Sequence, residues 1–172
     1  MRDGGELTAG PSAPNGVPDA ERLARGPCVV VECPEEIPCD PCHDACPRGA
    51  IRPFEDINHL PEVDFDKCNG CGTCISACPG LAIFVVDETW GEAQALVKLP
   101  YEFVPLPKPG QDVVGLDRTG RARCTARVVR VQTSERQDKT SVVWIEVPKG
   151  LSMEVRHIRV GGSACGVRET SG

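Results

Sequence analysis

Eleven of the 172 residues are cysteines, and nine of those lie between residues 28 and 87. Two stretches align without a gap: CDPCHDACPRGAI, residues 39–51, and CGTCISACPGLAI, residues 71–83, share the pattern C-x2-C-x3-C-P-x2-A-I at an offset of 32. Upstream, the second copy gains Cys68 and reads C-x2-C-x2-C-x3-C-P, whereas the first gains Cys33 only across the five residues PEEIP. Two runs of four thiols follow, Cys33, Cys39, Cys42 and Cys46, then Cys68, Cys71, Cys74 and Cys78. Thiols two residues apart lie on one tight loop, where their sulfurs converge on a single centre and loop amides turn toward them. Gly70 and Gly72 suit such a loop, because glycine accepts positive φ and close backbone approach. The last thiol of each run is expected on a short helical turn that Pro47 or Pro79 ends. A four-iron cubane held by four thiolates leaves no iron open to substrate, so the chemistry implied is electron exchange.

The second run is the bacterial ferredoxin signature for a [4Fe-4S] cluster, and residues 28 to 87 resemble the two-cluster bacterial-type ferredoxin domain. That resemblance implies an α+β fold of βαββαβ order, in which CVVVE pairs with AIFVVD and AIRPF faces PEVDF in a central hairpin. It also implies two [4Fe-4S] clusters with crossed ligation. Cys68, Cys71 and Cys74 would bind one together with Cys46, and Cys33, Cys39 and Cys42 the other together with Cys78. The PEEIP gap departs from the pattern and leaves Cys28 as an alternative to Cys33.

The elements that must position these thiols are read from composition and periodicity. Aromatic residues are only 4% of the chain, so the fold needs cohesion beyond an aromatic core, and bound metal can supply it. Residues 1–26, rich in Gly, Pro and Ala, are expected to form a tail or extended arm without chemistry, followed by a cluster domain over 27–90 and a β-rich extension over 91–172. In the extension, RCTARVVRVQT (123–133), TSVVWIEV (140–147) and MEVRHIRV (153–160) alternate as strands between the turn signals KPG, RTG and PKG, which suggests a small antiparallel sheet or barrel. No secretory signal and no run near the roughly 18 apolar residues of a membrane span is evident, so a soluble, cytoplasmic protein is expected. The net charge of -6 argues against nucleic acid as the main partner.

Competing readings use fewer of these residues. A zinc site of Cys39, Cys42, Cys68 and Cys71 needs four ligands and leaves the two Cys-Pro positions without a purpose. A redox pair at Cys39 and Cys42 lacks its βαβ setting. Cys124 and Cys165 read as inert, and His43, His59 and His157 as surface residues outside any catalytic motif. No glycine-rich nucleotide loop is present, so a flavin or nicotinamide would belong to another chain.

Beyond the cysteines, VVVECPEEIPCDPCHDACPRGAI, LPKPGQDVVGLDRTG and VPKGLSMEVRHIRV resemble the small iron-sulfur subunit of FAD-dependent amino-acid and amine dehydrogenases of the proline, hydroxyproline and sarcosine type. This implies FAD-binding dehydrogenase partners in a hetero-oligomer, with no catalysis on this chain. The alternatives are an electron-transfer subunit of a molybdenum or tungsten oxidoreductase, a free ferredoxin, or a zinc-stapled adaptor. The extension is expected to be a docking module, so that deleting residues 105–172 would leave cluster assembly intact. The two loops also differ in charge. Glu35, Glu36 and Asp40 oppose reduction at the first, where Pro34, Pro38 and Pro41 donate no N–H, while KCNGCGTC has a lysine and no carboxylate between its cysteines. The first-loop cluster is therefore expected to be the harder to reduce. An EPR-monitored redox titration of a variant that has lost the second-loop cluster isolates its midpoint, which should lie below that of the other.

Overall fold

The computed structural model describes residues 16–161. In chain order these form α1 (Ala20–Leu23), β1 (Cys28–Val31), α2 (Pro41–Asp44), α3 (Thr73–Ala77), β2 (Ile83–Asp87), β3 (Gln94–Tyr101), β4 (Asp112–Leu116), β5 (Ala122–Gln132), β6 (Ser141–Pro148) and β7 (His157–Arg159). Among the described residues no helix is long and apolar enough to cross a membrane. All seven strands belong to one antiparallel sheet of order β1-β2-β3-β6-β5-β4-β7.

The strands that flank the cysteine runs pair directly, Cys28 opposite Val86 through to Val31 opposite Ile83. Both read as unbroken apolar runs because both faces of this part of the sheet are covered. Val30, Phe84 and Val86 point into the larger core, and Val29, Val31, Ile83 and Val85 into a second core that contains Cys42, Cys74 and Cys78. The hairpin expected between AIRPF and PEVDF is reduced to a single bridge, Ile51 opposite Val63, with Arg52 N–H donating to Glu62 O and Asp64 N–H to Ala50 O. Pro53 and Pro61 stand on either side of that bridge, and neither can donate to a longer ladder.

The ladder does not stop at residue 90. β3 pairs with β2 through Lys98 opposite Val85, and along its whole length with β6. It is buried at seven of its eight positions, so it shows no alternation from which to read it. β5, with one open face, keeps the expected period of two. The segment 153–160 is strand only over its last part, because the chain first has to turn: Glu154 and Val155 N–H donate back to Leu151 O before β7 joins β4 at the far edge. The sheet curls enough to bring that edge back to the end of β1, where Arg156 Nε donates to Glu32 at 2.9 Å and Arg118 pairs with the same carboxylate.

Residues 16–26 also differ from the expected tail. Gly16 O accepts from Val31 N–H, Leu23 sits in the larger core, and the Arg22 side chain is buried. Residues 1–15 lie outside the described residues.

This shared ladder changes what truncation should do. A chain cut after Val104 loses β6 and leaves the outer edge of β3 unpaired, with Val97 and Leu99, both fully buried, open to water. Its iron content and its cooperative thermal transition should both fall to background. Full cluster content in the shortened chain would show instead that the cysteine segment folds alone.

Candidate metal centre

The two cysteine runs wrap around two hollows beneath the β1–β2 pair. Cys33, Cys39, Cys42 and Cys78 line one, closed by Val31, Phe54 and Ile83. Cys46, Cys68, Cys71 and Cys74 line the other, closed by Val29, Ile51 and Val85. Each hollow thus takes three thiols from one run and the last thiol from the other. The crossing follows from the two short helices. In each run the third and fourth motif cysteines lie four residues apart across a single turn, which advances the chain by about 6 Å. Cys42 therefore faces one hollow while Cys46 reaches the other, and Cys74 and Cys78 repeat the arrangement in reverse.

Local geometry explains why these residues take up these positions. Pro41 opens α2 at its first turn, and Cys39 N–H donates to Ile57 O at 3.2 Å, which ties down the PEEIP-extended loop. Gly70 and Gly72 have φ of 66° and 86°. A β-carbon at Gly70 would lie 2.5 Å from the Pro27 Cβ, so this glycine is required by contact as well as by conformation.

The chemistry of the donor set fits two cubanes. Burial and the neighbouring thiols Cys78 and Cys39 push Cys42 up to about 11, and burial with Cys68, Cys71 and Cys46 pushes Cys74 up to about 12. Crowded thiols of this kind need bound cations to ionise together, and iron supplies that charge. Sulfur-directed amides are in place: Ala50 N–H to Cys46 Sγ at 3.2 Å, and Val29 and Gly70 N–H to Cys68 Sγ at 3.4 Å each. Among the described residues no three His, Cys, Asp or Glu side chains gather as ligands of a single ion. Thiolates around one zinc would stand roughly 4 Å apart. Cys39 and Cys42 line a different hollow from Cys68 and Cys71, so the four-thiol zinc arrangement is not assembled.

The structure separates Cys33 from Cys28. Cys33 lines the first hollow, whereas Cys28, fully buried at the start of β1, lies against Cys68 beside the second. Its thiol hydrogen bond to Cys68, with the Gly70 and Val29 amides and the Arg22 charge, lowers Cys68 to about 6 against the cost of burial, and the same bond drives Cys28 itself upward. Cys124 is buried in the larger core, and Cys165 lies outside the described residues. Of the histidines, His59 is exposed, His43 Nδ1 lies 2.8 Å from Ile51 O, and His157 is half-buried and stacked on Tyr101. Sequence reasoning missed the cations around the loops, Arg22, Lys98 and Arg156. Their contacts run to main-chain carbonyls or to one carboxylate far away in sequence, and leave no local pattern.

The thiol arrangement and comparison with known proteins together support a ferredoxin-type domain in the cysteine segment. Residues 37–82 match the 4Fe-4S dicluster domain family. The chain is 45% identical over 53 residues to the ferredoxin-type protein NapF of Haemophilus influenzae, 30% of each chain. It is 42% identical over 52 residues to the pyruvate synthase subunit PorD of Methanocaldococcus jannaschii, 30% of this chain and 58% of that one. It is also 42% identical over 67 residues to a selenate reductase subunit of Mesobacillus selenatarsenatis, 38% of this chain and 19% of the relative. The chain thus spans less than two thirds of each of these relatives. No solved structure matches. The protein carries two [4Fe-4S] clusters.

The placement of Cys33 and Cys28 is testable by substitution. Cys33→Ser should cost one cluster and reduce iron from about eight to about four per chain, from the four-iron cubane. Cys28→Ser should leave both clusters loaded. The opposite result would transfer the ligand role to Cys28.

Proposed function

We propose that this chain is the electron-transfer iron-sulfur subunit of a hetero-oligomeric oxidoreductase. Cys33, Cys39, Cys42 and Cys78 bind one cluster, and Cys46, Cys68, Cys71 and Cys74 the other. The observation that carries this reading is the crossed lining of the two hollows, which leaves each quartet complete and the two centres side by side. When bound, the clusters supply one-electron exchange. The chain's own residues hold them close together, turn amides toward sulfur and keep water from their inner faces with Val29, Val31, Ile51, Ile83 and Val85, each nearly or fully buried. Catalysis then falls to partner chains.

The surface around the first hollow supports a protein partner. Seven large hydrophobic side chains are exposed among the described residues. Ile37, Ile57 and Leu60 flank the first cysteine loop. Phe103, Val104 and Leu106 lie on the loop after β3, across a groove that Cys33, Pro34 and Glu35 share with Phe103. Apolar exposure concentrated beside a redox centre suits an interface better than open water.

The partner we propose is an FAD-dependent amino-acid or amine dehydrogenase. The resemblance over residues 27–160 supports it, and so does the need for a two-electron donor whose electrons two one-electron centres can take in turn. A molybdenum or tungsten oxidoreductase is the second reading, equally compatible, and the likeness to a selenate reductase component favours an assembly of reductase type.

Anaerobic affinity purification from the native host distinguishes these readings. The expected result is co-purification of at least one flavin-containing chain, with cluster signals that are bleached when the amine substrate is added. A co-purifying chain with molybdopterin and no flavin establishes the second reading, and a chain that purifies alone with both clusters is a free ferredoxin.

A further inference from the structure

Two buried cations press on the loop of the second cysteine run, and neither has a carboxylate partner. Lys98 of β3 is 7% exposed and Arg22 of α1 is 8% exposed. Lys98 Nζ donates to Gly70 O at 2.7 Å and lies 4.1 Å from the centre of the Trp144 ring. The Arg22 guanidinium donates to four carbonyls, Cys68 O at 2.8 Å, Phe65 O at 2.9 Å, Gly26 O at 3.1 Å and Pro27 O at 3.2 Å. No ion pair among the described residues includes either of them. Asp87 favours the Lys98 charge from beyond ion-pair distance while Arg130 opposes it, and Asp87 Oδ1 accepts from Thr89 N–H and Oγ1. Carbonyl dipoles alone seldom hold a buried full charge, and a charge taken out of water without a counter-ion is strongly unfavourable.

The second cysteine quartet can supply the missing anion. The sulfurs of Cys71 and Cys68 act on Lys98, and Arg22 acts on Cys68. Four thiolates and four sulfides outweigh the iron charge of a cubane, so a cluster held there is a net anion that gains further negative charge on reduction. Beside the first hollow Arg118 and Arg156 share one carboxylate, Glu32, so those cations have an acidic partner within the chain.

We propose that Lys98 and Arg22 are built-in counter-charges of the second cluster, and that Lys98, supplied by the strand that joins the cysteine segment to the rest of the sheet, raises that cluster's potential above the first's. This rests on the assignment of Cys46, Cys68, Cys71 and Cys74 as its ligands. Lys98 is a potential-setting residue that acts across space and through the Gly70 carbonyl. Its effect should appear in one cluster and not in the other.

The experiment uses the full-length holoprotein with wild-type Lys98, Lys98→Met, Lys98→Gln and Lys98→Arg. Iron and sulfide are measured first, followed by EPR-monitored redox titration. The expected result is a second-cluster midpoint that falls in Lys98→Met and Lys98→Gln, returns toward wild type in Lys98→Arg, and leaves the first-cluster midpoint in place. The glutamine variant can still donate to Gly70 O, so a fall there isolates charge from the hydrogen bond. An unchanged second-cluster midpoint in fully loaded Lys98→Met protein overturns the inference. If the neutral variants fail to load and the arginine variant loads, charge is required for assembly and the proposal stands. If the arginine variant also fails, Lys98 serves only to shape the loop and the proposal falls. Wild-type protein with about four irons instead of about eight overturns the two-cluster ligand assignment, a failure separate from that of the Lys98 effect.

Discussion

Thiols that share an apolar hollow resist losing their protons, because each thiolate is desolvated and repelled by the next. Burial and neighbouring sulfur together raise Cys42 and Cys74, and bound cations reverse that balance. Iron bound in each hollow would be the main source of positive charge, and the surrounding fold supplies amide dipoles and, at the second loop, two buried side-chain cations. The structure around the cysteines is the apparatus that makes this concentration of sulfur tolerable. Single-turn helices bring the fourth thiol across, glycines allow the loop to close over the centre, and a wall of valine and isoleucine keeps out water.

That wall is the inner face of a sheet whose other face forms the larger core, so the cysteine segment and the β-rich segment share one set of strands. β3 is the joint. It continues the ladder from β2, is buried on both faces, and sends Lys98 toward the second loop while Val97 and Leu99 point away from it. At the other end of the sheet Arg156 and Arg118 hold Glu32, the residue just before Cys33. The β-rich segment therefore fixes the geometry of both cysteine loops. The same segment also presents an exposed loop around Val104, which is 90% open.

The two hollows are alike in their sulfur and unlike in their surroundings. The first has carboxylates and prolines in its loop and cations already paired with Glu32, and it lies beside most of the exposed apolar side chains. The second has sulfur-directed amides from Val29, Gly70 and Ala50, together with Arg22 and Lys98. An internal repeat thus yields two thiol quartets of the same type in different electrostatic settings.

Spacing alone made the quartets legible. Thiol positions in C-x2-C-x2-C-x3-C-P are set by bond lengths and one helical turn, so a local pattern was enough for the two runs and for the positive φ of Gly70 and Gly72, while the crossed lining was expected from the resemblance to two-cluster ferredoxins. The pairing of β1 with β2 was also expected, from the fold that the resemblance implies. Other features depended on contacts distant in sequence and could be decided only by folding. Cys33 and Cys28 are five residues apart in the chain, yet they lie beside different hollows because β1 runs along the sheet between them. β3 escaped a period-two reading since burial on both faces removes the alternation. Arg22, in a segment whose composition suggested a tail, is bound by carbonyls up to 46 residues away, and backbone acceptors carry no sequence signature. Local steric rules wrote the thiol spacing into the sequence, whereas the charges that surround the thiols depend on long-range packing, and only the tertiary structure could bring those together.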